Sequence, residues 1–161
     1  MSTPSRAAAS VAAEARWFIR RACAGDFPAL AGLWRRSLEA THDFLLPGDL
    51  ERIGAEVATV YLPGLGEVWL AEEGGRPAGF LGCDGPHVEM LFVKPELFGR
   101  GVGGALLRHA RNRHGALRLE VNEQNARALA FYQRQGFVIT GRSALDSAGR
   151  PYPLLHLAWR A

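Results

Sequence analysis

The segment PELFGRGVGGALLRHA, residues 95–110, places Gly99, Gly101, Gly103 and Gly104 within six positions, between an apolar run and a helical pattern. A glycine in or beside a regular element costs about 0.5–1 kcal/mol relative to alanine, so something must approach this main chain closely. An anion meets that requirement, because successive N–H groups entering a helix point outward unpaired and a phosphate satisfies them. Each charge-assisted hydrogen bond contributes about 1.5–3 kcal/mol, against about 0.3–1 kcal/mol for the helix dipole. The amides therefore do most of the holding. The plain alternative is a loop that only turns tightly.

Two familiar phosphate loops fit poorly. A Walker-type loop needs Gly-Lys-Ser/Thr so that a lysine reaches the phosphates, and here Gly103 and Gly104 are followed by Ala105 and Leu106. A dinucleotide fingerprint is formally met, since Gly99, Gly101 and Gly104 spell GxGxxG and Glu120 follows about 20 residues on. Its context is wrong, because KPELF separates the strand from the first glycine and only one clear strand–helix–strand crossover is present. A dinucleotide-binding oxidoreductase stays as a minor alternative.

Hydrophobic periodicity and turn residues give the element order β, α, α, β, β, β, α, β, α, β, β, an α/β fold with a mixed sheet. RWFIRRA reads as a strand, and DFPALAGLWRRSLEATHDFL as a helix with Asp26 as N-cap and Pro28 in the first turn. A second helix follows Pro47–Gly48, and EVWLAEEGGRPAGFLGC is a hairpin turning at Glu73–Gly74–Gly75. HVEMLFV is a strand leading through the glycines into a helix that ends near Gly115. Strand ALRLEV, helix NARALAFYQRQ stopped by Gly136, and strands FVITGRS and PLLHLAW complete the chain.

With 161 residues and 48% apolar content the chain reads as one domain over residues 15–161, preceded by a flexible tail at 1–14. Nineteen basic against sixteen acidic residues leave a charge of +3, too weak to argue for nucleic acid. Cys23 and Cys83 form neither a CxxC nor a disulfide framework, which fits a reducing cytoplasmic location and no metal. No apolar run is long enough to span a membrane. The tryptophans read as core, and Arg108, Arg111 and Arg113 as a solvated helix face.

VKPELFGRGVGGALL resembles motif A of the GNAT superfamily of acyl-CoA-dependent N-acetyltransferases, whose Gln/Arg-x-x-Gly-x-Gly/Ala loop grips the coenzyme A pyrophosphate. Phe98 stands where the pattern has Gln or Arg. NARALAFYQRQGF resembles motif B, the helix beside the thiol end of the coenzyme. ATHDFL, VNEQN, FYQRQGF and TGRSALDSAGRPYPLLHLAW resemble the YjaB-type branch, associated with peptidyl-lysine acetylation. The resemblance implies a mixed, mostly antiparallel sheet of about six to seven strands flanked by four helices. It implies acetyl-CoA as co-substrate, held by Leu91, Phe92, Val93, Gly99, Arg100, Gly101, Val102, Gly103, Gly104, Asn125 and Tyr132. Asn125 and Tyr132 also share one helix face by spacing; taken singly, Asn125 reads as an N-cap and Tyr132 as a half-buried tyrosine.

The implied chemistry is direct attack of an amine on the thioester, with Tyr132 protonating the departing thiolate and a strand amide near Leu91 steadying the oxyanion. A lysine amine must first lose a proton, at about 4.6 kcal/mol for 3.4 units at pH 7. Glu89 and Glu120 are the candidate bases, and strand alternation puts Glu89 on the face of His87 and Leu91. Either carboxylate otherwise reads as one paired with an arginine. His42 and Asp43 are placed by the resemblance at the amine pocket; a packing or capping role is the alternative for His42. The acceptor is a protein lysine or a small amine, with no nucleic acid or membrane partner, and the enzyme a monomer or homodimer. An idle acyl-CoA sensor would look almost the same in sequence.

Overall fold

The computed structural model describes residues 16–41 and 47–160. The tail at 1–14, and both His42 and Asp43, lie outside the described residues. Seven strands form one sheet in the order β1-β2-β3-β4-β5-β7-β6. They are β1 (Phe18–Arg21), β2 (Glu67–Glu73), β3 (Arg76–Asp84), β4 (His87–Val93), β5 (Ala116–Asn122), β6 (Val138–Ser143) and β7 (Leu154–Arg160). Four helices flank it: α1 (Phe27–Thr41), α2 (Pro47–Glu56), α3 (Val102–His114) and α4 (Ala126–Arg134). A π-helical turn, Val57–Tyr61, carries the chain on from α2.

Every neighbouring pair in the sheet is antiparallel except β4 and β5. A doubly wound sheet is thereby excluded, and with it the dinucleotide reading of the glycines. The β2–β3 hairpin turns at Gly74 and Gly75, both with positive φ (59° and 75°), as a two-residue primed turn requires.

Side chains on the two sheet faces build two cores. Leu30, Trp34, Val57 and Phe80 pack with α1 on one face, while Leu81, Leu106, Leu117 and Leu157 pack with α3 on the other. Phe80 and Leu81, adjacent on β3, serve opposite cores as the two-residue period demands. Trp17 and Trp34 are core residues as expected.

Asp26 departs from expectation. Its carboxylate accepts from the Cys23 N–H at 2.8 Å and so caps the 3-10 turn Ala24–Asp26, with α1 starting one residue later. Arg20 donates to both its oxygens at 2.8 and 2.9 Å, and also to Glu72. The guanidinium, more than any other group, holds the Asp26 carboxyl well below its usual range.

A second departure lies in β4. Its ladder with β3 shifts register between Gly82, opposite Met90, and Cys83, opposite Val88, which leaves Glu89 as the extra residue of a β-bulge. Beyond the bulge Leu91 and Val93 pack with the α3 core, whereas Met90 and Phe92 pack with the α1 core. Glu89 therefore does not share a face with Leu91. Simple alternation fails because the bulge resets the phase.

Gly79 is where β3 admits the start of α3. A Cβ there would stand 2.8 Å from Val102 Cγ1 and 2.9 Å from the Phe92 carbonyl oxygen. Gly79→Ala is expected to cost about 1–3 kcal/mol through overpacking, read as a lower midpoint in denaturant unfolding.

Candidate active site

The site is built on the parting of two strands. β4 and β5 run parallel, yet only His87 and Arg118 are in register between them. The phase of the β3–β4 ladder is set by Lys94, whose N–H donates to the Ala78 carbonyl at 2.8 Å. In an antiparallel pair such residues alternate, so Leu91 and Val93 direct their N–H and C=O groups away from β3 and into the gap beside β5. A ligand entering that gap meets a row of backbone donors and acceptors, and the amide expected near Leu91 is among them.

The glycine loop closes one end. Gly99 and Gly101 have φ of 74° and 92°, a region that glycine enters readily. Gly101 is the N-cap of α3, and the first return bond runs from Ala105 N–H to its carbonyl at 3.0 Å. The N–H groups of Val102, Gly103 and Gly104 thus have no acceptor within the helix. The other two glycines answer to packing: a Cβ on Gly103 would lie 2.9 Å from the Phe131 ring, and one on Gly104 would lie 3.4 Å from the Gln135 amide. They let α4 approach α3.

A cavity of about 440 Å³ joins these parts. Leu91, Phe92 and Val93 line one wall, the loop and the first turn of α3 a second, and Asn125, Ala128 and Tyr132 of α4 a third. The expected coenzyme residues are brought together with one exception. Arg100 is exposed and outside the lining, and its N–H is spent on the Leu97 carbonyl at 3.2 Å.

Asn125 is the N-cap of α4, its Oδ1 accepting from Ala128 N–H at 3.1 Å, while it also lines the cavity. Tyr132 is half-buried, its ring edge-on to Phe131 and Phe137 at centroid distances of 5.2 and 5.5 Å. Its hydroxyl has no hydrogen-bond partner among the described residues. Burial pushes the phenol above its ordinary value, so it keeps its proton at neutral pH.

Sequence reasoning missed several lining residues. Arg127 and Arg134 on α4 border the cavity, adding positive charge next to the unpaired amides. Their seven-residue spacing was the available signal. Phe98, which lacks the polar side chain of the motif, carries the Arg127 guanidinium over its ring at 5.1 Å. Ser37 and Thr41 bring α1 to the same cavity.

One of the helix arginines also differs from expectation, while Arg113 stays exposed. Arg111 is not solvated: it stacks over Trp159 at 4.4 Å, donates to the Gln135 carbonyl at the end of α4, and burial lowers its pKa. A cation at a helix C-terminus complements the dipole. Arg113 instead pairs with Glu67 at 2.8 Å.

The two candidate bases lie together and away from the cavity lining. His87 bridges them, Nδ1 at 2.8 Å from Glu89 Oε1 and Nε2 at 2.6 Å from Glu120 Oε2. Neither glutamate pairs with an arginine among the described contacts.

One grouping of metal-ligand type exists among the described residues: Glu67, Cys83 and His114, with ligand atoms within 4.8 Å of one another. Glu67 Oε2 already accepts from Arg113 Nε and Trp69 Nε1, each at 2.8 Å, so a guanidinium occupies the cation's place. Desolvation pushes the buried Cys83 thiol up to about 11.

A sheet parted beside a helix N-terminus, with a phenol on the facing helix, gives a cavity whose unpaired amides suit an anionic ligand. Residues 64–139 match the family described as acetyltransferase (GNAT) domain. The peptidyl-lysine N-acetyltransferase YjaB of Salmonella typhimurium is 40% identical over 145 residues, covering 88% of this chain and 97% of that protein. The peptidyl-lysine N-acetyltransferase YiaC of Escherichia coli is 34% identical, covering 83% and 91%. The solution structure of apo-form YjaB from Escherichia coli superposes with a TM-score of 0.82 at 40% identity, over 90% of this chain and 99% of that one. The chain belongs to the GNAT acetyltransferases, which draw the acetyl group from acetyl-CoA. No helix among the described residues is long and apolar enough to cross a membrane.

Gly101→Ala is expected to cost about 1–2 kcal/mol of stability from left-handed strain and to weaken acetyl-CoA binding, both readable by calorimetry. The Cys83 thiol has the opposite sign to a salt-bridged carboxylate. Its proton is held more tightly in the folded chain, so its contribution is complete below pH about 9.0 and drains away towards about 11. The stability of the wild-type chain relative to Cys83→Ala should fall across that interval in unfolding titrations.

Proposed function

We propose that this acetyltransferase acts on the ε-amino group of lysine in protein or peptide, by direct attack within a ternary complex. The observation that carries the transferase chemistry is the single cavity shared by the α3 N-terminus, the free edge of β4 and Tyr132. The lysine acceptor is supported by the peptidyl-lysine activity named for relatives 40% and 34% identical over most of the chain.

In this reading the amides of Val102, Gly103 and Gly104 hold the pyrophosphate, with Arg127 and Arg134 adding charge. The backbone of Leu91 and Val93 aligns the pantetheine arm, and an N–H of β4 near Leu91 faces the developing oxyanion. Glu89 accepts the amine proton, which answers the cost of deprotonating lysine at neutral pH. Tyr132, protonated and free of other partners among the described residues, gives its proton to the departing thiolate. His42 and Asp43 belong to the acceptor side. The domain that does this comprises residues 15–161.

Tyr132→Phe keeps the ring packing and removes the proton. Turnover should fall about 100-fold while the acetyl-CoA KM stays within about twofold, measured as free-thiol release with a lysine peptide. Unchanged turnover removes Tyr132 from the acid role. A panel of amines, peptidyl lysine against polyamines and free amino acids, tests the acceptor, and a preference for a small amine overturns the lysine assignment.

A further inference from the structure

The bulge at Glu89 creates a problem for a base. An extra residue in β4 leaves its side chain on an exposed stretch of strand, with 40% of its surface accessible, where an unsupported carboxylate samples many rotamers. The structure resolves this through His87, two residues before it and far less exposed, at 17%. Nδ1 of His87 meets Glu89 at 2.8 Å and Nε2 meets Glu120 of β5 at 2.6 Å. Glu120 in turn faces His156 of β7 at 3.7 Å, and His156 Nε2 lies 2.7 Å from the Ser143 hydroxyl of β6.

The main chain places this chain of contacts at the decisive point. His87 is also the residue of β4 that stays in register with β5, opposite Arg118, before the strands part. The same residue thus closes the vertex of the gap twice, by backbone and by imidazole. Other charges facing it are few: Asp84 across β3 and Arg118 beside it on β5, besides the two glutamates. Ionised carboxylates have no hydrogen to donate. Where it meets an ionised carboxylate oxygen the imidazole is therefore the donor, and it meets one through each of its two nitrogens.

We propose that His87 is the positioning residue of the acceptor-side base, locking Glu89 and tying it through Glu120 across the β4–β5 junction. The inference rests on the reading of Glu89 as base. In the step itself the N–H bond of the lysine ammonium breaks, its electron pair stays on nitrogen, and an O–H bond forms at the Glu89 oxygen that His87 does not engage. His87 and Glu120 neither gain nor lose a proton in this step. The imidazole contact fixes one oxygen of the carboxylate and leaves the other turned to the amine.

The test is steady-state kinetics of acetyl-CoA with an Nα-acetylated lysine peptide, following thiol release from pH 6 to 9.5. His87→Ala should lower kcat about tenfold or more, leave the acetyl-CoA KM within about twofold, and alter the pH profile of kcat. Free imidazole should recover part of the loss, which a purely structural defect would not permit. Glu120→Gln, which keeps the side-chain volume, should lower kcat and alter the profile by less, and serves if His87→Ala folds poorly. An unaltered pH profile in both variants overturns the inference. Glu89→Gln separates the two levels: if it is impaired while His87→Ala matches the wild type, only the positioning role falls. If Glu89→Gln retains full turnover, the base reading falls and the positioning role with it.

Discussion

The separation of β4 from β5 is the constraint on which the rest of the molecule depends. Two parallel strands that stayed paired would consume the N–H and C=O groups of Leu91 and Val93 in a ladder and leave no entrance into the sheet. Here the pairing stops at His87 and Arg118. The backbone groups beyond it have lost their sheet partners, and buried backbone groups without partners are costly. A ligand with its own amides and carbonyls would relieve that cost, which is the physical basis of the proposed binding site.

The four glycines show how two demands converge on one short segment. Gly99 and Gly101 turn the chain from β4 into α3 with left-handed backbone, which aims the first N–H groups of the helix into the cavity. Gly103 and Gly104 have ordinary helical geometry and serve the contact with Phe131 and Gln135. Removing side chains from that face of α3 lets α4 sit near enough for Tyr132 to share the cavity. The loop orients the unpaired amides, and the helix glycines set the distance to the phenol.

Charged side chains hold the neighbouring joints. Arg111, packed on Trp159 with a donor on the Gln135 carbonyl, fastens the end of α4 to α3. Arg20 joins β1 to β2 through Glu72 and to the turn before α1 through Asp26. Both act between elements distant in the chain, where the sheet by itself leaves an edge or an end unsupported. The same logic places His87 between Glu89 and Glu120.

The amino-acid sequence by itself determined the order of elements, the hairpin at Gly74–Gly75, the stop at Gly136 and the glycine-led start of α3 with its unpaired N–H groups. These are local matters: periodicity, left-handed glycine and unpaired N–H groups act over a few residues. It also carried the spacing that sets Asn125, Ala128 and Tyr132 on one side of α4. Only the tertiary structure decided that Glu89 is a bulge residue and parts company with Leu91, that Arg111 is half-buried against Trp159, that Asp26 caps a turn ahead of α1, and that His87 joins two carboxylates. The Arg111 and His87 contacts reach partners 24 and 33 residues away, and the bulge depends on register against β3, which no periodicity within a single segment encodes.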